Sequence, residues 1–319
     1  LHAKPSVDDL RELVRGLSNR LEAINLVPDY ELSIQNGVWY DDRNPIPQAL
    51  GAVLRDRFHA ETSSVPFLMN SGFAEAQING WVKGATDGRI DSIITAAEIT
   101  AGKIDFAITN AVLFRGLWAK PFDRKRTVMA PFHAGGRTFD VAMMRRDEKE
   151  FPLGELDGVQ MLEQPYRSGL ISALILLPPD SPGALERLEA SLSVEKLKQF
   201  GQALRDSLVK VELPRFEIDS DFRLEEPLKA MGMPRAFVPT GDFSKLGRSN
   251  WRLAFVRQKA LLKVNEEGTE ASAAAGMQGM GGAEEHLFRA DRPFLFLIQE
   301  KSTGLVLFVA RVTNPSREI

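Results

Sequence analysis

The chain has 319 residues, 40 Lys plus Arg against 43 Asp plus Glu, and a formal net charge of −3. That balance excludes a surface that tracks nucleic-acid phosphates, because such binding rests on clustered cations. The 44% hydrophobic content is that of a globular chain, no apolar run approaches the ~20 residues that span a bilayer, and the absence of Cys removes disulfides, thiolate nucleophiles and Cys-based metal sites.

Apolar residues first recur at helical spacing, at Leu10, Leu13, Val14, Leu17, Leu21 and Ile24. They predict a helix that starts at Ser6, with Asp8 and Asp9 favourably placed in its first turn. Leu32, Ile34, Asn36, Val38 and Tyr40 alternate and predict a strand with one covered face. Short amphipathic helices follow around Leu50 to Phe58 and Ala74 to Val82. Ile104 to Trp118 is apolar at both parities, which predicts a strand in the middle of a sheet, covered on both sides. Ser172 to Leu177 is a second buried-type strand, stopped by Pro178 and Pro179. Helical spacing returns at Val194, Leu197, Leu204 and Leu208, and Val209, Val211 and Leu213 then alternate up to Pro214. The clearest hairpin joins Pro293–Gln299 to Leu305–Thr313. Strands and helices intermix without a βαβ rhythm, so the class is α+β on a mixed or antiparallel sheet.

Enzyme signatures are missing. The chain has no G-x-S-x-G elbow, no H-E-x-x-H and no Walker loop. His2, His59, His133 and His286 lie far apart without metal-ligand spacing and read as surface or structural residues. The glycine-rich run from Gly276 to Gly282 has neither the following helix nor the Lys-Ser/Thr of a phosphate loop, and reads as a flexible exposed loop. Just ahead of it, Thr269, Ala271, Ala273 and Ala275 share one strand face, and Glu270, Ser272, Ala274 and Gly276 share the other. The run is small and free of proline. It can enter a sheet at little steric cost and donate every ladder hydrogen bond. The plainer reading is an alanine-rich linker or short helix.

The run Val264-Asn265-Glu266-Glu267-Gly268-Thr269-Glu270-Ala271-Ser272-Ala273-Ala274-Ala275 resembles the reactive-loop hinge of the serpins, a family of serine protease inhibitors, in its prokaryotic form. Ala290 to Ile298 and Gly304 to Pro315 resemble the family's carboxyl-terminal signature. Thr109 to Trp118, closing on Lys120-Pro121-Phe122, resembles the strand beneath its breach and shutter. Leu213-Pro214-Arg215-Phe216 and Asp242-Phe243-Ser244 agree further. The resemblance implies one serpin domain over residues 1–319, with a large central mixed or antiparallel sheet, smaller sheets, surrounding helices and an exposed reactive loop at about 267–288. It starts just after the family's first helices, so the chain is expected to lack them. The uncovered underside of the sheet would then invite self-association.

The implied function is suicide inhibition of a serine endopeptidase rather than enzymatic activity. The protease cleaves the loop, is held as an acyl-enzyme, and is dragged as the hinge inserts into the sheet. A non-inhibitory serpin and an inactive truncated fragment are the alternatives. The resemblance makes Glu266, Gly268, Thr269, Ala271, Ser272, Ala273, Ala274 and Ala275 the hinge. It pairs Glu266 with Arg215, with Trp118 packed nearby, and gives Asn110 and Gln258 the shutter; an ordinary surface ion pair is the plainer reading of Glu266 and Arg215, worth ~0–1 kcal/mol. Loop length from Glu266, and counting back from Pro293, both place the scissile bond at Gly282–Ala283, with Met280 as the alternative residue before the cut. A glycine there suits an elastase-like or subtilisin-like pocket better than a trypsin-like one. No cofactor, metal, nucleic acid or membrane is implied, and the resemblance favours an extracellular or periplasmic location.

Overall fold

The computed structural model describes residues 7–27, 29–100, 104–238, 243, 251–269 and 286–316. In chain order, α1 (Val7–Asn25), β1 (Tyr30–Asp41), α2 (Gln48–Phe58), β2 (Ala60–Val65), α3 (Ser71–Ala85) and α4 (Ala96–Thr100) precede β3 (Phe106–Leu117). Then come β4 (Val128–Ala134), β5 (Arg137–Leu156), β6 (Val159–Pro165), β7 (Ile171–Leu177), α5 (Ala184–Ser191) and α6 (Val194–Ala203). The chain ends through β8 (Arg205–Pro214), β9 (Phe216–Arg223), α7 (Glu225–Ala230), β10 (Leu253–Val264), β11 (Gly268–Thr269), β12 (His286–Arg289), β13 (Phe294–Glu300) and β14 (Leu305–Val312).

The α+β expectation holds. One sheet of six strands runs β2-β1-β3-β10-β9 with β11 added to β3, and another of eight runs β12-β8-β5-β6-β7-β13-β14 with β4 added to β5. The first is mixed: β2 on β1 and β10 on β3 are parallel, and β11 on β3 is antiparallel. Contacts group the chain into two compact units, one of Leu1–Leu26, Glu31–Phe114 and Asp219–Leu261, the other of Val27–Tyr30, Arg115–Ile218 and Leu262–Ile319. Among the described residues no helix is long and apolar enough to cross a membrane.

In the first unit, Asn70 caps α3 by accepting the Phe73 N–H at 3.0 Å. Ala74, Ile78 and Val82, one turn apart, are fully buried in a cluster with Trp39, Ala107 and Ala111. This packing explains how β3 departs from the sequence reading. Ala107, Thr109, Ala111 and Leu113 are buried, but Ile108, Asn110 and Val112 on the other face are only half-buried. There, Phe106 is covered by Trp251 and Leu253 at the start of the strand. The Trp39 indole N–H donates to Thr109 Oγ1 across 2.8 Å in the interior. Gly37 makes room for that bond, since a Cβ there would stand 2.6 Å from Thr109 Oγ1 and 2.7 Å from Trp39 Nε1.

In the second unit, every residue of β7 is buried between β6 and β13, as an apolar run stopped by two prolines should be. Ser193 caps α6 through the Lys196 N–H. Leu185, Leu188 and Phe200 of the two helices cover Met161, Leu174, Leu176, Leu295 and Leu297. Phe216 stands edge-on to Phe294 and Phe296, with centroids 6.0 and 5.4 Å apart, and Phe132 meets Phe294 likewise. The helical spacing read through Leu208 stops early: α6 ends at Ala203, and Leu204 is already extended. Pairing of β8 with β5 from Arg205 onward and complete burial of Val209, Val211 and Leu213 outweigh the helical pattern.

The β13–β14 turn is closed by Glu300, whose carboxylate accepts the Ser302 and Thr303 N–H groups at 3.0 Å each and the Thr303 hydroxyl. Burial alone would raise its pKa, but these hydrogen bonds to the charged form hold it down at about 2.

Two outcomes follow from this packing. Gly37→Ala lowers the urea midpoint by the equivalent of about 1–3 kcal/mol, because the added methyl displaces a buried hydrogen bond. For Glu300 the folded pKa lies below the unfolded value, so its contribution is complete above about pH 4.5 and is lost as pH falls toward 2. Urea midpoints of the wild type and Glu300→Gln should therefore differ at pH 6 and converge near pH 2.

Candidate functional site

The site is built where β3 changes partners. Its parallel register with β10 ends at Leu113 opposite Leu261. Further along, Leu117 and Gly116 take Gly268 and Thr269 as antiparallel partners instead. Glycine is required at 268: a Cβ would run into the Gly116 carbonyl oxygen and lie 2.8 Å from Leu117 Cα. The approach to this pairing is a tight turn made by Asn265. Its side-chain oxygen accepts the Glu267 and Gly268 N–H groups at 3.0 and 3.2 Å, and its own N–H donates to the Gly268 carbonyl at 2.8 Å.

Trp118 anchors the turn from below. It is fully buried and stacks on Tyr166, centroids 4.4 Å apart and planes 15° from parallel. Its indole N–H donates to the Asn265 carbonyl at 3.0 Å, and its backbone N–H to the Glu267 carbonyl at 2.9 Å. The Phe122 N–H closes on the Glu266 carbonyl at 2.7 Å. Each carboxylate of the Glu266-Glu267 pair is buried and has its own partner. Glu266 accepts the Thr127 hydroxyl at 2.7 Å, and Glu267 meets Arg124 at 2.7 Å.

The Glu266–Arg215 ion pair expected from the sequence does not form. Pro214 and Phe216 are buried, so strand alternation leaves Arg215 exposed, and its backbone N–H donates to the Ala142 carbonyl. The cation at this turn is Arg124, and it serves the neighbouring glutamate. Sequence reasoning missed Asn265, Thr127, Arg124 and Tyr166. An Asn followed by Glu-Glu-Gly is a turn signal and could have marked Asn265, whereas Thr127 and Arg124 carry no local mark of their distant partners.

Asn110 and Gln258 are brought together as direct partners in the β3–β10 register. Gln258 Nε2 donates to Asn110 Oδ1 at 2.7 Å, and Asn110 Nδ2 donates to Asn36 Oδ1 at 2.9 Å and the Gln35 carbonyl at 3.4 Å. A row of amides thus links β1, β3 and β10 on the half-buried face. Of the remaining expected site residues, Ala271, Ser272, Ala273, Ala274, Ala275, Met280, Gly282 and Ala283 lie outside the described residues, as does the side chain of Thr269. The described chain resumes at His286, where β12 runs parallel to β8.

Gln258→Leu should lower stability by about 1–3 kcal/mol, because the Asn110 carbonyl oxygen loses its only donor among the described residues. Chemical denaturation measures the loss, and Gln258→His, which keeps a donor, should lose less.

A family model described as serpin (serine protease inhibitor) matches residues 1–315. Among curated proteins, an uncharacterized serpin-like protein of Thermococcus kodakarensis is 34% identical over 88% of this chain, which spans 66% of that relative, just under two thirds of its length. The leukocyte elastase inhibitor of Xenopus laevis is 30% identical over 95% of the chain and 84% of its own length. Among solved structures, native protease nexin-1 with heparin superposes with a TM-score of 0.86 at 27% identity, over 97% of this chain and 84% of that one.

Proposed function

Because the chain belongs to the serpin family, we propose that it is a suicide substrate of serine endopeptidases, trapping the protease by inserting its cleaved loop between β3 and β10. One observation carries the reading: Gly268 and Thr269 already pair with β3 at the point where its pairing with β10 has ended. Carried forward, that antiparallel register sets Ala271 against Phe114 and Ala275 against Asn110. A strand of small residues without proline completes such a ladder without steric conflict.

The chemistry belongs to the protease. Its serine attacks the carbonyl carbon of Gly282, the bond to the Ala283 nitrogen breaks with that nitrogen taking a proton, and residue 282 is left as an acyl ester. Insertion must then outrun hydrolysis of the ester. To reach Ala275 the strand has to part Asn110 from Gln258, whose amide–amide bond joins the two flanking strands. That bond therefore resists insertion until cleavage frees the loop. Glycine before the scissile bond supports an elastase-like or subtilisin-like target, with Met280 as the alternative position for a larger apolar pocket. The leukocyte elastase inhibitor among the relatives is in keeping with this preference.

Incubation with elastase-like, subtilisin-like and chymotrypsin-like proteases should give a complex that survives denaturing gels, and a released fragment whose new amino terminus is Ala283. An amino terminus at Gly281 would assign the cut to Met280. Thr269→Arg should turn inhibitor into substrate, since it sets a charge opposite the buried Gly116. Rapid cleavage with no stable complex across the panel would remove the inhibitory reading in favour of a non-inhibitory serpin.

A further inference from the structure

Arg146 lies in β5, beside the register shift between Arg146 and Lys149 where this strand meets β8. Bulges of this kind re-aim side chains. Its guanidinium stacks over Phe122, 3.9 Å from the ring centroid, and also faces Phe151 at 4.9 Å. Only 7% of the residue remains exposed, and all three guanidinium nitrogens are buried without a hydrogen-bond partner among the described residues. Burial pushes its pKa down to about 9. Ring faces offset part of the lost hydration, but they accept none of its N–H groups in the plane.

Two nearby acids are engaged elsewhere. Asp147 is held by both terminal nitrogens of Arg126, and Glu212 by Arg145 and Arg289. A second cation shares the place: Lys120 Nζ sits 4.9 Å from the same Phe151 centroid and donates to the Glu150 carbonyl at 2.6 Å. Burial lowers the Lys120 pKa, the charges of Arg146 and Lys149 lower it further, and those of Glu150 and Asp206 oppose the shift. Two cations therefore lie 4.9 Å from the centroid of one phenyl ring, and the more buried of them has a full set of donors unused among the described residues.

We propose that Arg146 and Lys120, framed by Phe122 and Phe151, form a binding site for a small oxyanion, the planar guanidinium supplying paired N–H donors and the half-buried ammonium the second charge. This fork geometry matches the oxygens of a phosphate or a carboxylate. The site adjoins the loop hinge through the Phe122 N–H, which donates to the Glu266 carbonyl, but it does not depend on the inhibitory reading.

Titration calorimetry of the full chain with sodium phosphate and, separately, sodium acetate tests it, in an amine buffer at ionic strength held constant with chloride. The wild type should show one saturable site, weakened at least tenfold in Arg146→Met and several-fold in Lys120→Met. Binding of phosphate alone assigns a tetrahedral anion; binding of acetate alone assigns a carboxylate. Lys120→Met, at a partly exposed position, decides the matter should Arg146→Met fail to fold. No saturable binding of either anion by the wild type, or wild-type affinity in Lys120→Met or in a folded Arg146→Met, overturns the proposal.

Discussion

A strand inside a sheet must have its backbone N–H and C=O groups paired, and β3 meets that requirement with two partners in succession. Parallel β10 serves it as far as Leu113, and the short β11 serves it at Gly116 and Leu117. The change of partner shapes everything around it. It demands glycine at 268, where no side chain fits against Gly116. It demands a sharp turn at Asn265, and a rigid floor of stacked Trp118 and Tyr166 to hold that turn. The same ladder that leaves room at one end is tied by Asn110 and Gln258 within its paired stretch.

Buried charge is handled in two contrasting ways in the second unit. Glu266 and Glu267 are taken from water, but each has a nearby donor that offsets part of the cost of desolvation, although Glu267 Oε2 is buried without a hydrogen-bond partner among the described residues. Arg146 is taken from water against two phenyl rings and left with its in-plane donors unmet. An uncompensated buried ion costs several kcal/mol, which is why a chain that solves the problem at the hinge and not at β5 draws attention to β5. Around Asn265, polar groups build a turn; around Arg146, aromatic rings cover the charge and leave its N–H groups unpaired among the described residues.

Local patterns were most legible where one influence dominated. Two prolines after five consecutive apolar residues marked β7, and the turn residues between two apolar runs marked the β13–β14 hairpin. Asn110 and Gln258 were marked through family resemblance, and the two meet in the structure. The long β5 and the strands β4, β6, β9 and β10 were not read; β5 and β10 mix charged and apolar types without a clean period. Helical spacing continued falsely to Leu208, since nothing local announces that β5 will claim that segment as a neighbour.

Taken alone, the amino-acid order determined the α+β class, the family resemblance and the small, proline-free character of the run from Gly268 to Ala275, because each is written in composition or in contiguous motifs. Tertiary structure alone decided the partners. It set Thr127, not Arg215, against Glu266, and Arg124 against Glu267, at separations of more than a hundred residues. It left one face of β3 half-open and stranded the Arg146 guanidinium between two rings. The physical reason is common to all of these: burial and hydrogen-bond pairing are properties of what approaches a residue in space, and no local pattern records what will arrive.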